Sequence, residues 1–358
     1  MKTIKTALIG CGFFGRQLAA GFRQNGAELV GVNDINHQLA AALATKSGCR
    51  PYLDVDEMLT LHKPDLVLIA TYNSAHREAA EKALNAGSAV FIETPFAVET
   101  ADCHHISTLA EQRGKPIFIG HVLRTLPGLL KAKQLIEADA LGKITVARAN
   151  RQRWIDSARD KAWWKNDINL TGGKLLHEIH ELDLLCWLLG EVESVYAQST
   201  NRAHPDTPDN HDIIQLLMQF KNGVFGSLEM GTAYRLHEWG IAIHGELGSL
   251  AVNFFTSTLT LSFADGHRQQ FNLYDEFEAD LSLRENGKST QKYNQINGLC
   301  PFWLSRAVEI EALSVIRHLQ QKQHSVLHDS PMRAVCVAAA AKRSIREKTL
   351  INVEYRSQ

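Results

Sequence analysis

The sequence predicts two domains, an α/β domain with a parallel sheet and then an α+β domain with a large, mostly antiparallel open sheet. Three observations carry this. The chain has 358 residues, more than one hydrophobic core usually organises. Its first 122 residues alternate short β-rich runs with helical patterns, which calls for parallel strands covered by helices on both faces. From about residue 143 strands follow one another, separated by Gly and Asx turns, the mark of antiparallel pairing. The domains are therefore placed at 1–122 and 123–358.

In order, the first half reads as strand TALIG, helix RQLAAGFRQNG, strand LVGVND, helix QLAAALATKSG, strand LVLIAT, helix REAAEKALNAG, strand AVFIE, helix CHHISTLAEQRG and strand PIFIG. The second half reads as strands KITVARANRQRW, SVYAQSTNR, DIIQLLMQF, VFGSLEMGT, WGIAIHG, GSLAVNF and TLTLSF. Lys221-Asn222-Gly223 and Asp265-Gly266 supply turns, and helices are expected around 173–189 and 303–321.

Composition removes several function classes. Net charge is −1 with both signs dispersed, so nucleic acid has no electrostatic footprint and a small neutral or weakly charged substrate fits better. No run approaches the roughly twenty apolar residues of a membrane helix. The N-terminal apolar run is broken at Arg16 and Gln17, unlike a signal peptide. Cys11, Cys49, Cys103, Cys186, Cys300 and Cys336 are scattered without a CxxC pair, which suits reduced thiols in the cytoplasm rather than disulfides or a zinc knuckle.

Gly10-x-Gly12-x-x-Gly15 follows the first strand and opens the first helix. In that context Gly10 permits the tight turn, Gly12 lets backbone approach a pyrophosphate, and Gly15 allows close packing, the fingerprint of a Rossmann domain. Phosphates sit at the helix N-terminus, where N–H groups are free, and Phe14 of the same loop belongs with the cofactor contacts. Asp34 ends the second strand nineteen residues after Gly15, where its carboxylate accepts hydrogen bonds from ribose hydroxyls. No arginine follows it in DINHQ, so NAD is expected over NADP.

The glycine fingerprint, then IATYNSAHREAAEKALNAGSAVFIETP, then AWWKNDINLTGGKLLHEIHELDLL stand in an order and spacing that resembles the Gfo/Idh/MocA oxidoreductases over essentially the whole chain. The resemblance implies that Thr71, Asn73 and His76 form the loop beside the ribose and nicotinamide, and that Glu93 and Pro95 belong to the family's Glu-Lys-Pro signature. Here Thr94 replaces the lysine that commonly hydrogen-bonds the reacting hydroxyl, which weakens an ordinary dehydrogenase assignment. Trp164-Lys165 stands where the family often has Trp-Arg near the nicotinamide, keeping the charge and losing the planar fork.

Between Lys174 and Leu189 an apolar helix pattern carries His177 and His180 three residues apart, so that they share a face. The resemblance makes His180 the catalytic histidine and Asp183 its downstream acid. Histidine suits the task because its free pKa lies near physiological pH. His177 and Glu178 are less typical of the family and enlarge the acid–base repertoire. A zincin helix needs histidines four apart in HExxH, so no metal is expected in HEIHE. Arg124, Arg151, Arg153, Lys165 and Lys174 are the remaining polar candidates, either binding substrate or simply solvated, and they leave open an acidic sugar.

The resemblance implies an NAD-dependent enzyme acting on a sugar-like hydroxyl by hydride transfer. A second reading is an NAD-requiring glycosidase that oxidises C3 transiently, eliminates the C1 substituent, adds water and re-reduces. It needs an extra base, for which His177 or Glu178 qualifies. A third is a sugar sensor without turnover. The broad sheet and the family resemblance both point to a homodimer or homotetramer.

Overall fold

The computed structural model describes residues 2–155, 164–204, 211–274 and 302–355. Cys300 and the Ala162-Trp163 portion of AWWKND lie outside the described residues.

The chain divides into two units, the first of which takes residues 1–97, 101–125 and 275–331. Its elements run β1 (Lys5–Ile9), α1 (Phe13–Gln24), β2 (Glu28–Asn33), α2 (His37–Ser47), β3 (Arg50–Tyr52), α3 (Val55–His62), β4 (Leu66–Ile69), α4 (His76–Asn85), β5 (Ala89–Ile92), α5 (Thr100–Arg113) and β6 (Ile117–Ile119). Every residue of β4 and β5 is buried, as a parallel strand covered on both faces demands. The strands are parallel in the order β3-β2-β1-β4-β5-β6, so the chain reverses direction across the sheet between β1 and β4. Ligands of such sheets bind at that switch, outside the carboxyl ends of the strands. The sequence pattern passed over β3 and α3. The helix is short and charged, and it is fixed by Asp54, whose carboxylate accepts from Asp56 N at 2.9 Å.

The domains were expected at 1–122 and 123–358; the helix Phe302–Gln321 packs with the first unit, whose earlier stretches end at Thr125. The reason lies in its packing on α1. A Cβ at Gly21 would stand 3.0 Å from Val308 Cγ1, and Asn25 Nδ2 donates to Glu309 O at 3.0 Å.

The second unit takes 98–100, 126–274 and 332–358. It contains α6 (Pro127–Glu137), β7 (Ile144–Trp154), α7 (Ile168–Thr171), α8 (Lys174–His177), α9 (His180–Leu189), β8 (Val192–Thr200), β9 (Ile213–Phe220), β10 (Phe225–Gly231), β11 (Ala233–Gly245), β12 (Gly248–Asn253), β13 (Thr258–Phe263), β14 (Arg268–Asn272), the helix Arg333–Glu347 and β15 (Ile351–Asn352). Among the described residues nine strands lie in the order β14-β13-β12-β11-β7-β10-β9-β8-β15, of which only β7 and β10 pair in parallel. In β9 the alternation buries Ile214, Leu216, Met218 and Phe220 and turns Leu217 outward. Gly223 and Gly266, at φ +89° and +86°, make the two turns that the sequence marked.

The single helix expected over 173–189 is two. Glu178 leaves helical geometry at φ −113°, ψ +44°, so α8 ends at His177 and α9 begins at His180. The two histidines therefore do not share the face of one continuous helix. Among the described residues no helix is long and apolar enough to cross a membrane.

Candidate functional site

The candidate residues fall into two groups, one in each unit. In the first unit the glycine loop joins β1 to α1. Gly10 has φ +95°, and a Cβ there would meet Ala70 O at 2.4 Å. A Cβ on Gly15 would fall 1.9 Å from Gly10 O, so both positions are dictated by the protein's own backbone. Gly12 differs, because a Cβ there meets no protein atom within 4 Å. The open space beside Gly12 is the cradle a pyrophosphate needs. No side chain caps α1 at Gly12, which leaves the first-turn N–H groups for a phosphate. Phe14 is half-buried in that turn, its ring edge-on to Phe13 at 5.3 Å.

Asp34 Oδ2 accepts from Cys11 N at 2.5 Å and Oδ1 accepts from Asn36 N at 2.7 Å. The carboxylate thus fastens the glycine loop to the end of β2, with lone pairs left for ribose hydroxyls. Cys11, inside the loop, is an inert thiol: burial and the neighbouring Asp34 push it up to about 12.

At the ends of β4 and β5 stand the other first-unit candidates. Thr71 is half-buried and Asn73 buried in the turn before α4. His76 is fully buried, its Nδ1 2.8 Å from Pro95 O, and burial lowers its pKa to about 4. A neutral His76 therefore steadies the Thr94-Pro95 turn through that hydrogen bond. Glu93 lies against Gly120, where a Cβ would stand 3.0 Å from Glu93 Oε2, and burial pushes its carboxyl up to about 7. Beside it, from the helix Phe302–Gln321, Glu311 is wholly buried, and neither of its carboxyl oxygens has a hydrogen-bond partner among the described residues. Burial and the charge of Glu93 push Glu311 well above the ordinary carboxylate range. Glu311 was missed because 218 residues separate it from Glu93 and a lone glutamate in an amphipathic helix carries no sequence signal. Arg124, expected to touch substrate, is 1% exposed in the first unit and donates from Nη1 to Asp329 O at 2.8 Å, so it braces the fold there.

The second group centres on Glu178, held where the chain breaks between α8 and α9. Its carboxylate receives Arg153 Nη2 in a very short contact, Arg151 Nε at 3.2 Å and, more loosely, Lys174 Nζ at 3.6 Å. Burial alone would raise its pKa, but Arg153, Lys174 and Arg151 overcome that and hold it well below the usual range. An ionised carboxylate so engaged is a poor proton acceptor. Glu178 is thus a pin for the basic residues rather than the extra base the sequence suggested. Arg151 and Arg153 are not solvated surface, and Arg151 also donates to Glu181 Oε1 at 2.9 Å. Glu181, fully buried, takes a second bond from Trp239 Nε1 at 2.6 Å, and the Arg151 guanidinium lies 4.9 Å from the Trp239 ring centre. Neither Glu181 nor Trp239 was singled out in the sequence. A charge inside the apolar run of α9 was the available signal for Glu181, and Trp239 offered none.

Trp164 packs edge-on to His177 at 5.3 Å, and Lys165 lies 5.7 Å from the Trp164 ring centre. Both were expected beside the cofactor, and the structure brings them together with His177 in this group. Burial lowers Lys165 to about 7, with Arg153, Arg151 and Lys174 adding to the fall against Glu178. His180 is lowered to about 4, by burial first and then by Arg151, against Asp183 and Glu178. His177 falls well below its ordinary value through burial and Lys165. Both imidazoles are therefore neutral at pH 7, the state a proton acceptor requires. His180 Nδ1 is buried without a hydrogen-bond partner among the described residues. Asp183 is buried in α9. Among the described residues no group of three His, Cys, Asp or Glu side chains has the geometry of a metal site.

Residues 4–121 match the model of the oxidoreductase family's NAD-binding Rossmann fold, and residues 129–251 match the GFO/IDH/MocA C-terminal domain. An uncharacterised oxidoreductase of Streptococcus pneumoniae is 30% identical over 338 residues, 92% of this chain and 89% of that protein. A 2,7-anhydro-N-acetylneuraminate hydratase of Mediterraneibacter gnavus is 28% identical over 354 residues, 96% of this chain and 92% of its own. The fold is shared with a levoglucosan dehydrogenase solved with NADH and levoglucosan, at TM-score 0.83 and 20% identity over 99% of this chain and all of that one.

Proposed function

The chain belongs to the GFO/IDH/MocA oxidoreductase family, and from that premise we propose that it acts on a hydroxyl of a sugar, sugar acid or glycoside, with His180 as the proton acceptor. NAD, held by Gly10, Gly12, Gly15 and Asp34, supplies a hydride acceptor when bound. The observation that carries the reading is His180 itself, a neutral imidazole within a polar cluster, whose buried Nδ1 has no hydrogen-bond partner among the described residues. His180 takes the hydroxyl proton as the carbinol carbon is oxidised and its hydride passes to NAD, Arg151 and the Glu178–Arg153–Lys174 ion pairs orient the ring hydroxyls, and Trp164 offers an apolar face to the sugar. Thr94 supplies a neutral hydroxyl where the family has an ammonium.

That substitution favours a second reading, in which oxidation is transient and the net reaction is elimination or addition of water. Two relatives carry the name 2,7-anhydro-N-acetylneuraminate hydratase, the second from Escherichia coli at 27% identity over 87% of this chain. The deciding experiment incubates the NAD-loaded protein with free sugars, aryl glycosides and 2,7-anhydro-N-acetylneuraminate while following NADH absorbance and products by NMR. NADH in step with product establishes the dehydrogenase, and product without net NADH establishes the redox-neutral enzyme. No turnover of any compound, with sugar and NAD still bound, establishes the sensor and sinks both.

The reading extends to assembly. Val146, Leu217 and Phe225 project from β7, β9 and β10 as exposed apolar side chains, which supports a homodimer or homotetramer built on this sheet, to be checked by light scattering. The five described cysteines are all free, which suits a reducing cytoplasm.

A further inference from the structure

Glu181 stands where an apolar side chain would serve the fold. Every residue of α9 from Glu181 to Leu189 is buried, and Glu181 wholly so. A buried carboxylate destabilises unless donors surround it, and an apolar side chain of similar volume packs as well or better. Its oxygen Oε1 accepts from Trp239 Nε1 at 2.6 Å and from Arg151 Nη1 at 2.9 Å, while Oε2 has no hydrogen-bond partner among the described residues. The charge therefore serves those two donors.

Strand register brings the donors together. In the antiparallel pair of β7 and β11, Trp239 lies directly opposite Arg151, and residues so placed share a face of the sheet. The Arg151 guanidinium lies 4.9 Å from the Trp239 ring centre. The indole also stacks on Phe254, with ring centres 4.6 Å apart and planes 25° apart, and Phe254 N donates to Trp239 O at 3.0 Å. Arg151 Nε pairs with Glu178 at 3.2 Å as well. Two carboxylates and one ring thus confine a guanidinium whose side chain still keeps 18% of its surface exposed. Such an arginine has little rotamer freedom left to lose to a ligand.

We propose that Glu181 and Trp239 are positioning residues for the sugar chemistry proposed above, on which this inference rests: they hold Arg151 as a rigid donor that meets the ring hydroxyls already ordered. Trp239 touches Arg151 rather than substrate, so its effect on the reaction passes through that guanidinium. A rigid donor serves the ground state and the transition state alike, and its loosening raises KM with kcat nearly unchanged.

The first test needs no substrate. The NAD-loaded full chain is labelled with 15N-arginine, and the Arg151 signals are identified by their absence from Arg151→Lys. A held guanidinium turns slowly about its Nε–Cζ bond and gives separate Nη proton signals, whereas a loose one gives one averaged line. Arg151 should give separate signals in the natural chain and an averaged line in Trp239→Phe and Glu181→Gln, with the signals of Arg153 unmoved. An averaged Arg151 line in the natural chain, or separate signals that survive Trp239→Phe, overturns the proposal. The natural-chain spectrum decides even where a variant misfolds.

The second test is a double-mutant cycle in steady-state kinetics with levoglucosan and 2,7-anhydro-N-acetylneuraminate as probes. Trp239→Phe keeps a ring and deletes the donor, so KM should rise about three- to tenfold, the cost of ordering one long side chain on binding. Its kcat should stay within about twofold. Added to Arg151→Met, the same change should shift KM by less than about 1.5-fold, because nothing remains for Trp239 to position. An equal effect of Trp239→Phe in both backgrounds overturns the proposal. Separate Arg151 signals with neither probe bound nor turned over count against the sugar reading and leave the clamp standing, and an averaged line beside normal turnover does the reverse.

Discussion

The glycine loop of the first unit and the polar cluster of the second are built by opposite means. The loop uses backbone: two glycines fixed by contact with their own chain, a third facing open space, and one carboxylate tying the turn to β2. The cluster uses side chains delivered by β7, α8, α9 and β11, and it stands only because one buried glutamate gathers three cations. A backbone site tolerates little change in shape and much in charge, and a side-chain site the reverse.

That contrast can be broken from either side. The largest effect should come from His180→Ala, expected to slow turnover by about 10²–10⁴-fold, as loss of a general base does, with NAD affinity unaltered. Turnover near the natural rate in a kinetic assay would remove His180 from the chemistry. Glu178→Gln keeps shape and removes charge, so it should destabilise by about 3–5 kcal/mol in a denaturant titration, the cost of stranding buried cations. An unchanged midpoint would mean that the cluster is not framed by charge.

Gly15→Ala should cost about 1–3 kcal/mol and abolish NAD binding, since its Cβ overlaps Gly10 O at 1.9 Å. Gly12→Ala should leave the melting temperature alone and weaken only NAD. Equal losses of stability in the two variants would refute the assignment of the space beside Gly12.

The smallest effect is a pH dependence. The pKa of Lys165 falls from 10.5 to about 7 on folding, so between those values the unfolded chain holds the extra proton and stability rises with pH. Below pH 7 both states are protonated and the penalty is complete. Relative to Lys165→Met, the natural protein should therefore gain melting temperature from pH 7 to 9, and a difference that stays flat would mean that Lys165 is not depressed.

The same contrast explains what the sequence disclosed. Gly10, Gly12, Gly15 and Asp34 are constrained by neighbours along the chain, so their spacing is readable. Arg151 meets Glu181 across 30 residues and Trp239 meets it across 58, contacts that depend on how α9 lies on the sheet. The sequence named His177, Glu178 and His180 but not the break at Glu178 that turns a suspected base into an anchor, because LLHEIHELDLL has the apolar spacing of an unbroken helix. Arg124 looked like a substrate contact because an arginine after a strand carries no mark of the burial that tertiary packing imposes.

The helix Phe302–Gln321 sets the order in which the protein can be completed as it leaves the ribosome. The first unit's early portion ends at Thr125, yet the helix that seats Val308 against Gly21 of α1 is made nearly two hundred residues later. At typical rates of synthesis that interval lasts on the order of tens of seconds. During it the nascent chain carries α1 without the cover it has in the finished protein, an apolar surface open to chaperones and to neighbouring chains.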